Sequence, residues 1–230
     1  MKKIEIKRFV ANEFHAIEAL KTLRTNLMFS GPDNTAIALT SYSATEGKST
    51  IAFQLAASLA QADKRVLLLD ADLRRSSLSS RLRVKGKVDG LSHYLSGMAN
   101  VNDLLYETDM PGMYIMFAGV LVPSAAELLG SQGLVKLIPA LKETFDYVII
   151  DTPPLGQVID CAIMAPILDG VLFVIDSTNN SYKLQRRMKA SLEKSGGKVL
   201  GVILNCVDFT DRHSYYGKSR SYYGKDLDEK

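Results

Sequence analysis

The sequence Gly47-Lys48-Ser49 follows an apolar run, Ala36–Thr40, and opens a helix-forming stretch that begins near Ser49. That order carries chemistry. Where a loop runs into a helix N-terminus, backbone N–H groups point at phosphate oxygens and the helix dipole favours anions. A lysine placed as Lys48 reaches the β- and γ-phosphates of a nucleotide, and a hydroxyl placed as Ser49 binds Mg²⁺. The phosphate cradle is therefore Ser43, Ala44, Thr45, Glu46, Gly47, Lys48, Ser49 and Thr50. The full pattern has a glycine six positions before the lysine, where this chain has Tyr42.

Two acidic sites accompany the loop. Val66–Leu69 is an apolar run ending in Asp70-Ala71-Asp72, and Tyr147–Ile150 ends in Asp151. A carboxylate at the end of a buried strand either caps the next helix or lies at the sheet edge where α/β ligands bind. Three such carboxylates behind one Gly-Lys-Ser favour the second use, with Mg²⁺ held through one or two of them and phosphate oxygens. Ser49, Asp70 and Asp151 are the candidate metal ligands. Arg74 follows the acidic pair and either pairs with an Asp or steadies phosphates. Asn205 ends the last apolar run and either reads an adenine or satisfies turn backbone.

The elements that must position these residues are legible as periodicity. Runs at Ala36–Thr40, Val66–Leu69, Tyr114–Phe117, Tyr147–Ile150, Val171–Ile175 and Val199–Leu204 are continuous and rich in Val, Ile and Leu. Such runs are strands buried on both faces. Helical stretches between them predict an α/β fold, a doubly wound, mostly parallel sheet flanked by helices in a single domain. Residues 12–29 read as a helix capped by Asn12, with Phe14, Ile17, Leu20, Leu23 and Leu27 on one face. The expected division is an N-terminal arm and helix over 1–33, a nucleotide-binding domain over 34–208 and a flexible tail over 209–230. The tail has no large aliphatic residue except Leu227.

Composition bounds the rest. Of 230 residues 47% are hydrophobic and 23% charged, which excludes a wholly disordered chain or a coiled-coil rod. A net charge of +3 gives no argument for nucleic acid, so none is expected as a partner. Cys161 and Cys206 sit far apart in apolar runs and read as free thiols of a reducing compartment. No run reaches a membrane span of about 18 residues. A cytoplasmic protein follows, held at a membrane only by something else. The basic charge gathers at the ends, in Lys2, Lys3, Lys7 and Arg8 and in Arg212, Lys218, Arg220 and Lys225.

The tail repeats Ser-Tyr-Tyr-Gly-Lys at a seven-residue interval, giving Tyr215, Tyr216, Tyr222 and Tyr223. Tyrosines with nothing to pack against either dock by stacking or accept phosphate. Each phosphate adds about −1.5 to −2 charges, so four would reverse the sign of the segment.

Together these residues resemble the bacterial tyrosine kinases of the exopolysaccharide and capsule type (BY-kinases), within the MinD/ParA-like group of P-loop NTPases. The matching motifs are Gly47-Lys48-Ser49-Thr50, Leu67-Leu68-Leu69-Asp70-Ala71-Asp72-Leu73-Arg74 and Val148-Ile149-Ile150-Asp151-Thr152-Pro153-Pro154, with the tyrosine cluster. The resemblance implies ATP and Mg²⁺ as cofactors and phosphoryl transfer to the tail of a neighbouring copy. It implies Lys48, Asp70, Asp72, Asp151 and Arg74 as the catalytic set, with Asp70 or Asp72 taking the tyrosine proton. It further implies a ring-forming homo-oligomer, an activating cytoplasmic end of a membrane co-polymerase protein at the inner face of the membrane, and a cognate tyrosine phosphatase. The family's Glu-x-x-Arg-x-x-Arg oligomerisation motif stands here as Glu18, Lys21 and Arg24. Ala44-Thr45 replaces a common Pro-Gly, and Arg74-Arg75-Ser76 lacks a usual proline. The other readings are a positioning ATPase and an inactive nucleotide-binding scaffold. The extra lysine of the positioning ATPases falls at Ser43.

Overall fold

Each predicted run forms a strand, and side chains alternate between two cores. Ala36 and Ala38 face one apolar cluster and Ile37 and Leu39 the other; Leu67 and Leu69 oppose Val66 and Leu68 in the same way. A strand apolar on both faces has to be covered on both, so helices pack on each side. The structure, a computed structural model, describes residues 3–178 and 181–207.

In chain order the elements are β1 (Lys3–Ile4), α1 (Phe14–Phe29), β2 (Ala36–Ser41), α2 (Lys48–Ala60), β3 (Val66–Asp70), α3 (Leu78–Arg81), α4 (Leu91–Leu95) and α5 (Val101–Leu104). There follow β4 (Tyr106–Thr108), β5 (Met113–Met116), α6 (Ala125–Leu129), α7 (Gln132–Thr144), β6 (Tyr147–Asp151), α8 (Asp160–Met164), β7 (Gly170–Asp176), α9 (Tyr182–Lys194) and β8 (Val199–Asn205). They build one eight-stranded sheet, ordered β1-β4-β5-β3-β6-β2-β7-β8. Every neighbouring pair is parallel except β4 with β5. Helices α1 and α2 lie over one core, and α7 and α9 over the other.

The topology explains the site. From β2 the chain crosses through α2 to β3, leaving a gap that β6 fills later. The carboxyl ends of β2, β6 and β3 therefore stand side by side, where ligands of open α/β sheets bind.

The N-terminal residues are tied to the body. Lys3 and Ile4 pair with Glu107 and Thr108 of β4, and the Ile6 N–H donates to Asp109 Oδ1 at 2.7 Å. Strands β1 and β4 were not predicted; they are too short to carry a pattern. Asn12 does not cap α1, which begins at Phe14 with Glu13 at the N-cap and no side-chain cap bond. Of the apolar face expected on α1, Leu27 is buried, Ile17, Leu20 and Leu23 are half-buried, and Phe14 is 72% exposed.

Candidate active site

The loop between β2 and α2 is set by its own side chains. Gly47 has φ +80°, a left-handed conformation that favours glycine, and a Cβ there would collide with the Asn205 amide. Glu46 is buried, and its Oε2 accepts from the Tyr42 N–H at 2.7 Å and the Ser43 N–H at 3.0 Å. The carboxylate thus closes the loop on itself. Asn205 Nδ2 donates to the Glu46 carbonyl at 3.0 Å, tying the end of β8 to the loop. Arg81 Nη2 donates to Thr50 Oγ1 at 2.6 Å from the other side.

Behind the loop the charged residues converge. Lys48 Nζ lies 2.5 Å from Asp151 Oδ1 and 3.3 Å from Ser49 Oγ. Both members of the ion pair are 5% exposed. Asp151 is the cross-strand partner of Asp70, which is fully buried. Burial and then the Asp151 charge push the Asp70 carboxyl up to about 7, against hydrogen bonds from Ser76 Oγ and the Asp72 N–H that favour its ionised form. A carboxyl raised this far at the carboxyl ends of adjacent parallel strands is a candidate functional group.

Asp72 and Arg74 are positioned differently. Asp72 Oδ1 accepts the N–H groups of Arg74, at 3.2 Å, and Arg75, at 2.9 Å, so it shapes the turn after β3. Its side chain is half-buried. Arg74 forms a fork with Asp160, Nε to Oδ2 at 2.8 Å and Nη2 to Oδ1 at 3.0 Å. Asp160 is fully buried at the start of α8 and was not singled out by the sequence. Below the site Cys161 is buried, and burial pushes its thiol up to about 11, which leaves it an inert packing residue.

The donor set suits Mg²⁺. It offers two buried carboxylates and a hydroxyl, all hard oxygen donors, and no group of three or more His, Cys, Asp or Glu able to hold a metal exists among the described residues. Mg²⁺ is commonly bound by one or two carboxylates plus substrate phosphates rather than by an all-protein cage. A cavity of about 550 Å³ adjoins the loop at Tyr42, Ser43 and Glu46, between α9 and strands β7 and β8, but none of the three carboxylates lines it.

The remaining candidates divide. Glu18 and Lys21 pair on the exposed face of α1 at 2.7 Å. Arg24 turns to the body and donates to the Ser58 carbonyl of α2 at 2.7 Å. Tyr215, Tyr216, Tyr222 and Tyr223 lie outside the described residues.

The comparisons fit this geometry. Residues 34–194 match the model described as AAA domain. The chain is 40% identical over 213 residues to tyrosine-protein kinase CpsD of Streptococcus agalactiae, covering 93% of this chain and 92% of that one. This chain belongs to the bacterial tyrosine-protein kinases. The kinase domain of the Escherichia coli tyrosine kinase ETK superposes on it with a TM-score of 0.79 at 32% identity, covering 83% of this chain and 75% of that one. The septum site-determining protein MinD of Pyrococcus horikoshii, solved with Mg-ADP, shares 25% identity at a TM-score of 0.62, over 74% of this chain and 69% of that one. The kinase thus has the fold of the P-loop NTPases. Among the described residues no helix is long and apolar enough to cross a membrane.

Proposed function

We propose that the chain transfers the γ-phosphoryl group of ATP to Tyr215, Tyr216, Tyr222 and Tyr223 on the tail of a neighbouring copy. One observation supports this most: Lys48, Asp151 and Asp70 stand together, buried, at the edge of three adjacent strands. Phosphoryl transfer needs positioning and electrostatics more than covalent chemistry, and this cluster offers both. Lys48 and the amides of residues 43–50 stabilise charge on the transferred group. Ser49, Asp70 and Asp151 are the groups that would hold Mg²⁺, which when bound neutralises charge on the phosphates. Asp70 or Asp72, in its ionised form, takes the tyrosine proton. Arg74, braced by Asp160, holds the turn that carries Asp72. A tail of about 20 residues spans roughly 25 Å as a coil, enough to reach an adjacent site.

In this reading the kinase regulates exopolysaccharide or capsule synthesis and export. It is recruited to the inner face of the membrane by the cytoplasmic end of a co-polymerase activator and reset by a tyrosine phosphatase. Ring assembly would use the exposed Glu18–Lys21 face of α1, while Arg24 anchors that helix. The domain division proposed is 1–33, 34–208 and 209–230. The likeness to MinD favours a second reading, an ATPase timer, against which Ser43 stands at the position of the expected lysine. Incubation with MgATP followed by mass spectrometry separates them. Phosphate on the tail tyrosines, absent in Lys48→Met, is expected; released phosphate without labelled tyrosine would point to the timer.

A further inference from the structure

The end of the sheet at β1 carries a second concentration of charge. Strand β1 and the segment after α3 wall a cavity of about 540 Å³. Its cations are Lys3 and Arg8 from the N-terminal segment and Arg83, Lys85 and Lys87 from the segment after α3, with Glu5 the one carboxylate in the lining. Lys3 lies 3.9 Å from Glu107. Among the described residues Arg83, Lys85 and Lys87 have no ion-pair partner. The lining also includes the apolar residues Ile4, Leu82, Val84 and Val88, with Tyr106.

Cations gathered around one concavity repel, and an anion relieves them. The volume is that of a small-ligand site, within the usual range of about 300–1,000 Å³. Apolar residues beside the cations suit an aryl phosphate: a phosphotyrosine offers them a ring and offers the cations a dianion.

We propose that this cavity binds phosphotyrosine, and that its occupant is the second Ser-Tyr-Tyr-Gly-Lys repeat of the chain's own tail, residues 221–225. The occupant rests on the tail being phosphorylated as proposed above. Strands β1 and β8 lie at opposite ends of the sheet, about 34 Å apart at about 4.8 Å per strand. Tyr222 follows Asn205 by 17 residues, which extend to about 56 Å, so the second repeat reaches even the β1 wall of the cavity with length to spare, whereas Tyr215, 10 residues on, extends to about 33 Å. Two phosphates bring about −3 to −4 charges to the cations.

The test titrates a labelled peptide of residues 219–230, phosphorylated on Tyr222 and Tyr223, into the full chain with its four tail tyrosines changed to Phe. Supplying the phosphotyrosine synthetically keeps this result independent of whether the chain labels itself. Saturable binding is expected for the phosphopeptide alone, weakened at least about tenfold by Lys85→Glu with Lys87→Glu and by added salt. Unchanged ATP binding in the double variant shows that it folds. Equal binding of the unphosphorylated peptide, no effect of the double variant, or capture of anionic phosphatidylglycerol vesicles without capture of phosphopeptide would overturn the proposal. In the tail-phosphorylated full chain, phosphatase protection of Tyr222 and Tyr223 should be independent of protein concentration. Protection that grows with concentration would overturn the own-chain assignment.

Discussion

Asp70 holds the largest conflict at the residue scale. Its folded-state pKa of about 7 lies above its ordinary value of 3.8, so the fold binds that proton more tightly than the unfolded chain. Its contribution to stability is therefore present at low pH and is lost as pH rises between about 4 and 7. In Asp70→Asn that slope should vanish, and melting at pH 8 without nucleotide or Mg²⁺ should occur at a higher temperature than in wild type. Phosphotransfer should fall by about 10² to 10³-fold in the same variant. A lower melting temperature at every pH would show that the carboxylate is structural. Lys48→Met behaves oppositely. It leaves Asp151 buried without its cation, which costs about 3–5 kcal/mol. Its loss of activity should therefore be read beside a melting curve. The loop lysine and the strand-end acids were legible from residue type and position. Asp160 was not, because it lies 86 residues from Arg74 and looks like an ordinary helix-start acid.

At the scale of elements, the strands were legible because burial on both faces leaves an unbroken apolar run, as in Val66–Asp70, where all five residues are buried. Strands of two and three residues, β1 and β4, leave no such run and were missed. Caps were less legible still, since Asn12 has the right residue type but α1 starts after it. One anchor invisible in sequence is Asp169. Its Oδ2 accepts from the Thr35 N–H at 3.0 Å and the Ala36 N–H at 2.7 Å, and its Oδ1 lies 2.6 Å from Lys142 Nζ. It thereby pins the entry of β2 to α7. Although burial opposes it, the Lys142 ammonium and these amides hold its carboxyl below the usual value. This stabilisation is present above the unfolded pKa of 3.8 and is lost as pH falls through the lower folded value. Asp169→Ala should cost about 1–3 kcal/mol in urea unfolding at pH 7, with a smaller difference from wild type near pH 3. An equal cost at both would assign the effect to packing.

At the scale of the molecule, the net +3 conceals a separation of charge. One basic group lines the cavity beside β1, and another stands among the tail tyrosines in the sequence. Four phosphates would bring about −6 to −8 charges, enough to carry the whole chain below zero. Native ion-exchange chromatography should show the shift stepwise as the tail is modified. Removing residues 213–230 should abolish it while ATP binding persists. The whole account turns on where the phosphate goes. Purified chain incubated with MgATP and the cytoplasmic end of a candidate activator should carry phosphate on Tyr215, Tyr216, Tyr222 or Tyr223 by mass spectrometry, and Lys48→Met should carry none. Phosphotyrosine persisting in purified Lys48→Met, or wild type that releases phosphate without labelling any tyrosine, would contradict the account.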